Sequence, residues 1–280
     1  MYSLDVNLRR LIAEGRLRPV TAHAYETVTA VELALERMAD RLARATENDA
    51  SLTELTVLVK TFERPRVLRR FVGSVRRFYP ELEVIVVDDS RKPVPLDGVE
   101  TITLPYDSGV SVGRNELVSR ARTDYVLLLD DDFVFYRHTR LGPALEAMKR
   151  HPEIDIMGGQ VVNLPFYKRL PLSLEGPLYP SSASPRVPIG STIGGFTVAA
   201  KVPIFFLARR ERLALVPWDP HANRSGHADF FTRALGVLTT VYNPRLRCLH
   251  VKTPFATEYM AKRLDLDAEA DHLAAKYRFE

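Results

Sequence analysis

Asp130, Asp131 and Asp132 follow directly on the apolar run Tyr125-Val126-Leu127-Leu128-Leu129. Charge of one sign at the end of a strand-like segment does nothing for packing. Two carboxylates about 4 Å apart repel by roughly 4 kcal/mol at an effective dielectric near 20, so the triplet calls for a hard divalent cation or a basic partner. If the strand continues through it, side chains alternate: Asp130 and Asp132 share one face about 6 to 7 Å apart and Asp131 turns away. A solvated acidic turn is the bland alternative.

The elements that would position these acids are readable upstream. Leu55-Thr56-Val57-Leu58-Val59 and Val84-Ile85-Val86-Val87 are short runs rich in β-branched residues, as in buried parallel strands. Each ends in polar residues, Lys60-Thr61 after the first and Asp88-Asp89-Ser90 after the second. Between them, Leu68, Phe71, Val72, Val75 and Phe78 share one face of a helix over 66–79 that Pro80 stops, with Arg66, Arg69, Arg70, Arg76 and Arg77 largely elsewhere. Thr101 to Leu104 is a third extended segment, and Gly113-Arg114-Asn115 leads into a helix ending near Ala121. Strand, helix, strand, strand, helix, strand predicts an open, mainly parallel sheet whose ligands collect at the carboxyl ends of the strands.

Flanking regions are plainer. Apolar positions at helical spacing (Leu8, Leu11, Ile12, then Val28, Val31, Leu33, Leu35 and Met38) predict two helices broken near Arg18-Pro19. These pack on the main domain or on a second subunit, which leaves a homodimer open. Six prolines between Leu164 and Pro188 exclude a long helix or central strand there and predict a semi-rigid loop at the mouth of the site. Val202 to Leu207 is a strand candidate, Arg245 to His250 a last strand, and Thr257 to Lys276 a closing helix. The expected division is a helical extension over 1–50, a main domain over 51–256 with halves 51–135 and 136–256, and a carboxyl-terminal helix over 257–280.

Among 280 residues, 46% hydrophobic content allows a real core, and 39 basic and 35 acidic residues are interspersed, which argues against a nucleic-acid tail. One cysteine, Cys248, excludes an internal disulfide framework and a multi-cysteine zinc site. No apolar stretch reaches the ~18 residues of a transmembrane segment, and the first residues lack a signal-peptide layout, so a cytoplasmic protein is expected.

Five ordered landmarks narrow the reading: Lys60-Thr61-Phe62-x-Arg64, Arg76-Arg77-Phe78-Tyr79-Pro80, Asp88-Asp89-Ser90, Gly113-Arg114-Asn115, and Tyr125-Val126-Leu127 running into Asp130-Asp131-Asp132-Phe133-Val134-Phe135. In this order they resemble the inverting nucleotide-sugar glycosyltransferases of the GT-A fold, family 2, most closely the β-1,4-N-acetylgalactosaminyltransferase type. The resemblance covers roughly residues 54 to 255 and departs at the amino end, where the animal enzymes carry a membrane anchor and a luminal stem. It implies a Rossmann-like α/β fold and a UDP-sugar donor, with N-acetylhexosamine as the sugar. The acceptor hydroxyl would belong to a glycan, a glycolipid or a small natural product, a bacterial polysaccharide included.

The resemblance also assigns roles. Thr61 and Glu63 stand beside the nucleotide and Asp89 on its base or ribose edge; Asp88 or Ser90 could instead cap a helix. Gly113 would allow close backbone approach, Arg114 would neutralise the diphosphate or brace an aspartate, and Asn115 would meet the ligand or cap the helix. Asp130 and Asp131 belong to the nucleotide-sugar site, with Asp130 towards the ribose or, through water, the ion. Asp132 is the direct ligand of Mn²⁺ or Mg²⁺, and His250 supplies a further ligand unless it is a core histidine. Asp229, in His227-Ala228-Asp229-Phe230-Phe231, is the general base, with helix capping as the alternative. Trp218 and His227 form the sugar or acceptor platform; Trp218 is equally read as core, and His227 rivals His250 for the metal.

Other chemistries share parts of this pattern. Asp130-x-Asp132 also fits aspartate-nucleophile phosphatases, but there the motif ends the first core strand, whereas here strand-helix units precede it. A nucleotidyltransferase would carry a Gly-rich basic loop after its first strand, and Lys60-Thr61-Phe62-Glu63-Arg64-Pro65 is not one. A non-enzymatic sugar-binding module gives no reason for the acidic triplet, Asp229 and His250 to coexist.

Overall fold

The computed structural model describes residues 18–42, 52–172, 174, 179–223, 225–256, 259 and 267–277. Its centre is a sheet of eleven strands: β1 Leu55–Thr61, β2 Glu83–Asp88, β3 Glu100–Thr103, β4 Tyr125–Asp130, β5 Phe133–Val134, β6 Ile156–Leu164, β7 Lys168–Arg169, β8 Thr192–Ile193, β9 Phe196–Val198, β10 Phe205–Arg209 and β11 Thr240–Val251. The main order is β3-β2-β1-β4-β10-β6-β11-β9-β8, with β5 added to β11 and β7 to β6. The first four strands are mutually parallel. β10 runs antiparallel to both neighbours, and β6 and β11 are parallel to each other. The order β3-β2-β1-β4 reverses direction at β1, so a crevice is expected beyond the carboxyl ends of β1 and β4. Register aligns those ends, with Lys60 opposite Asp130 and Thr61 opposite Asp88.

Helices cover both faces: α2 Pro65–Phe78, α3 Val110–Arg120, α4 Leu141–Arg150 and α6 Gly226–Ala234, with a one-turn α5 at Arg210–Leu213. Strand alternation decides which face each residue feeds. Val57, Val59, Val84, Val86, Leu127 and Leu129 meet Leu68 and Phe71 of α2 and Leu145 and Met148 of α4. Leu58, Ile85, Val87, Val126 and Leu128 meet Leu117 of α3 and Phe230 of α6. At ~25 cal/mol per Å² of apolar surface, these two layers are the main source of stability.

α1 is one helix, Arg18–Leu42, which lays Leu33 on Val134, Tyr136, Val162 and Leu249. The expected break near Arg18-Pro19 is where this helix starts; Leu8, Leu11 and Ile12 lie outside the described residues. Of the closing helix, the described part is α7, Asp267–Tyr277. No helix among the described residues is long and apolar enough to cross a membrane. The strand anticipated at 202–207 forms three residues later, after Pro203, which has no N–H for a ladder. β11 is longer than expected and broken: Asn243 pairs with Gly159, yet the next pair is Arg247 with Gln160, so residues 244–246 bulge out.

Candidate active site

β4 ends at Asp130, and Asp131 and Asp132 occupy the turn before β5. This corrects the expected alternation, because strand periodicity stops one residue into the triplet. Asp130 reaches towards α3 and accepts a hydrogen bond from Arg114 Nη2 at 2.9 Å. Asp131 and Asp132 share Arg64, which donates to Asp131 through one terminal nitrogen and to Asp132 Oδ2 through the other, at 3.2 Å. Arg64 also donates to Thr253 Oγ1 at 3.3 Å and stacks over the Tyr259 ring at 3.7 Å. Burial works against its charge, but Asp131 and Asp132 outweigh that and hold its pKa above the usual range. Asp131 is fully buried, which pushes its carboxyl up despite Arg64. Asp132 is held down because His250 and Arg64 outweigh burial.

The sequence undervalued Arg64. It is visible there as the last residue of Lys60-Thr61-Phe62-x-Arg64, but the string carries no sign that its partners are 67 and 68 residues away. Thr61, expected beside the nucleotide, is buried and donates to Asp131 Oδ2 at 2.7 Å. It holds the triplet and does not face the cleft. Asp89 is likewise consumed: Lys60 Nζ lies 2.7 Å from Oδ1, and Gly109 N donates to Oδ2 at 3.0 Å. Glu63 has a positive φ of 53° and accepts from Arg91 N at 2.9 Å, which ties the β1 and β2 end loops together.

Two further expectations change. Gly113-Arg114-Asn115 is inside α3, not in a loop before it. A Cβ on Gly113 would come within 2.6 Å of Lys60 Cγ and 3.3 Å of Val87 Cγ1, so this glycine lets the helix approach the sheet. Asn115 is neither cap nor ligand contact; it donates to Trp218 O and accepts from Trp218 N, both at 2.8 Å. Trp218 is buried, with its ring stacked on Phe230 at 4.3 Å and 8°. It is core, and the sugar platform assigned to it is not on the surface.

A cavity of about 560 Å³ opens beside these groups, lined among others by Lys60, Arg64, Arg114, Asp130, Asp131 and His227. That volume falls in the range of small-molecule sites, roughly 300–1,000 Å³. His227 Nδ1 is buried without a hydrogen-bond partner, and burial together with nearby Arg114 and Lys201 pushes its pKa down to about 3. The imidazole facing the cavity is therefore neutral at pH 7. His250 stands on β11 opposite Phe133, with Nδ1 2.9 Å from Asn163 Oδ1 and Nε2 3.2 Å from Asp132 Oδ1. Asp132 Oδ1 is itself buried and has no aligned hydrogen-bond donor. Asn163 thus orients the ring, as groups behind a metal-binding histidine do. Among the described residues, no three His, Cys, Asp or Glu side chains group as a metal set. The structure offers the pair Asp132 and His250.

Asp229 is on the first turn of α6, fully buried and beside rather than on the cavity wall. It does not cap the helix. Oδ2 accepts from Arg233 at 2.7 and 2.9 Å, and Oδ1 from Lys276 Nζ at 2.5 Å and Tyr277 OH at 2.7 Å. Burial raises its pKa, but these donors outweigh it and hold the carboxylate ionised. Lys276 and Tyr277 belong to α7, which also places His272 and Lys276 on Asp219 Oδ2 at 2.8 and 2.6 Å. Nothing in the sequence pairs a helix near residue 270 with Asp229.

Residues 56–211 match the family described as glycosyl transferase family 2. Beta-1,4 N-acetylgalactosaminyltransferase 1 of Rattus norvegicus is 35% identical over 235 residues, 80% of this chain and 43% of that protein. Beta-1,4 N-acetylgalactosaminyltransferase 2 of Mus musculus is 35% identical over 206 residues, 71% of this chain and 40% of that protein. The chain thus spans less than half the length of the curated relatives it matches. Among solved structures, S. aureus TarS 1–349 superposes with a TM-score of 0.53 at 16% identity, over 78% of this chain and 67% of that one. GalNAc-T7 with UDP, GalNAc and Mn2+ superposes with the same score and identity, over 81% of this chain and 51% of that one. At these identities the likeness shows the fold: a mixed, mainly parallel GT-A-like sheet flanked by helices.

Proposed function

The chain belongs to glycosyltransferase family 2, and on that premise we propose that it transfers a sugar from a uridine diphosphate donor to an acceptor hydroxyl with inversion. The observation that carries this reading is one cavity at the ends of β1 and β4, beside α3, around which bases and acids are already matched: Lys60 with Asp89, Arg114 with Asp130, and Arg64 with Asp131 and Asp132. A diphosphate needs such cations and a ribose needs such acids. The β-1,4-N-acetylgalactosaminyl relatives support N-acetylhexosamine as the sugar.

Asp132 Oδ1 and His250 Nε2 would hold a Mn²⁺ or Mg²⁺ ion, because that oxygen is buried without an aligned donor and both groups suit a hard divalent cation. When bound, the ion offsets the charge that develops on the departing diphosphate. Arg114 and Lys60 supply fixed positive charge on the cavity wall, and His227 offers a neutral edge to the sugar. Asp229 is the base. To accept the hydroxyl proton, its Oδ1 gives up Lys276 or Tyr277, so the acceptor enters where α7 now lies.

UDP is expected to raise the melting temperature only with Mn²⁺ or Mg²⁺ present. Asp132→Ala should abolish that dependence, while Asp229→Asn should keep it and lose transfer by 100-fold or more, about the scale of a missing general base. Metal-dependent hydrolysis across a panel of nucleotide sugars identifies the donor without a known acceptor. No thermal shift with any nucleoside diphosphate would sink the donor site, and normal transfer by Asp229→Asn would sink the base.

A further inference from the structure

α1 carries a second apolar face that the described residues of the domain leave exposed. Val28, Val31, Leu35, Met38 and Leu42 recur at spacings of three, four, three and four residues, and their exposure runs from 38% to 82%. The residues that hold α1 to the domain are others. Thr29, Leu33 and Glu36 are buried, Tyr25 OH donates to Leu164 O at 3.3 Å, Phe166 N donates to Glu32 at 2.9 Å, and Arg137 N donates to Asp40 at 3.1 Å. At 100° per residue the stripe lies roughly 140° around the helix from that buried face, so it points away from the body. Solvent gives no reason for five large aliphatic side chains in one row.

Spacing identifies the occupant. A 3-4-3-4 row is the seam of a coiled coil, narrower than the broad apolar face by which a helix packs on a core. We propose that α1 pairs with α1 of a second copy of this chain, forming a two-helix coiled coil with the two domains on the outside. Three observations favour this partner over a membrane surface. The helix holds four acids (Glu26, Glu32, Glu36 and Asp40) and three arginines, whereas helices that lie on anionic lipid are basic. The seam is wholly aliphatic, with no aromatic residue for an interface. The exposed side chains amount to roughly 500 Å² per copy, so pairing buries about 1,000 Å², the lower bound for a specific interface. Two heptads alone make a marginal helix, but this one is already held by the domain, so pairing carries little extra ordering cost.

Leu35 is the midpoint of the row, so it faces its own copy in a parallel pair and lies next to it in an antiparallel pair centred on the row. The test is light scattering on the full chain at tens of micromolar, beside Leu35→Glu/Met38→Glu and Leu35→Cys. Wild type should have twice the mass of one 31.7 kDa chain. The double variant should have half that and still melt cooperatively, with its melting temperature lowered only by the loss of pairing, since both side chains are exposed in the single chain. Leu35→Cys should form a disulfide-linked dimer under mild oxidation, because the native Cys248 is buried and does not compete. A monomeric wild type overturns the proposal, whether the seam is covered within the chain or left bare. So does a dimer that survives the double substitution, or a monomer that floats with phosphatidylserine vesicles.

Discussion

Arg64 compensates two carboxylates that are both buried, and the cost of losing it follows from that. Arg64→Met leaves Asp131 and Asp132 without their shared counter-ion, and removing one partner of a buried ion pair costs about 3–5 kcal/mol. Urea denaturation should show a loss of that size, whereas Arg69→Met, on the exposed side of α2, which Arg64 precedes, should stay within about 0.5 kcal/mol. His227 gives a second prediction at this scale. Unfolded, its imidazole binds a proton below pH 6.5; folded, it resists until about pH 3. Between those values the unfolded chain holds the extra proton, so stability falls as pH falls, by up to about 1.4 kcal/mol per unit. His227→Gln should flatten the stability profile between pH 6.5 and 3 in chemical denaturation and leave it unchanged above pH 7. The acids themselves were legible as a cluster beyond an apolar run. Their partners were not, because Arg64 and Arg114 join them through the fold, and one dimension does not show which of 39 basic residues will arrive.

At the scale of elements, the strands and α2 could be read directly, because β1, β2 and β4 are buried on both faces and so are continuously apolar. α3 was harder: its hydrophobic periodicity is weak, since it buries Ser111, Gly113 and Arg114 together with Leu117 and Val118. The polar string that reads as a ligand loop is a helix pressed against the ends of β1 and β2. Gly113 sets that distance, and Lys60, its nearest neighbour, is itself pinned by Asp89. Gly113→Leu should therefore push α3 outward and cost about 1–3 kcal/mol, as overpacking does, even though leucine is the better helix former. It should also weaken UDP binding more than Gly73→Leu, where a new Cβ meets nothing within 4 Å. Calorimetric melting and UDP titration of the two variants separate these effects.

Across the whole molecule, both outlying helices close on the sheet from regions the sequence could place only as helical. α1 covers the β5, β6 and β11 corner, and α7 reaches Asp219 and Asp229. Both read as helices from their periodicity, but where each docks depends on hydrogen bonds between groups 47 to more than 130 residues apart, which periodicity does not encode. β11 joins these parts, since it pairs with β5, β6 and β9 and carries His250. Its bulge at 244–246 is slack in the chain, and that makes the protein's tolerance of length changes sharply local. Deleting exposed Arg245 shortens the slack and leaves every downstream pair in frame, so folding and UDP response should survive. Deleting one residue between Arg247 and His250 shifts the frame by one and turns Leu249 or its neighbour towards Asp132. A scan of single-residue deletions along 240–251, scored by soluble yield and metal-dependent UDP binding, should therefore find a tolerant window at exposed 244–245, bounded by intolerant positions that include the buried Leu246.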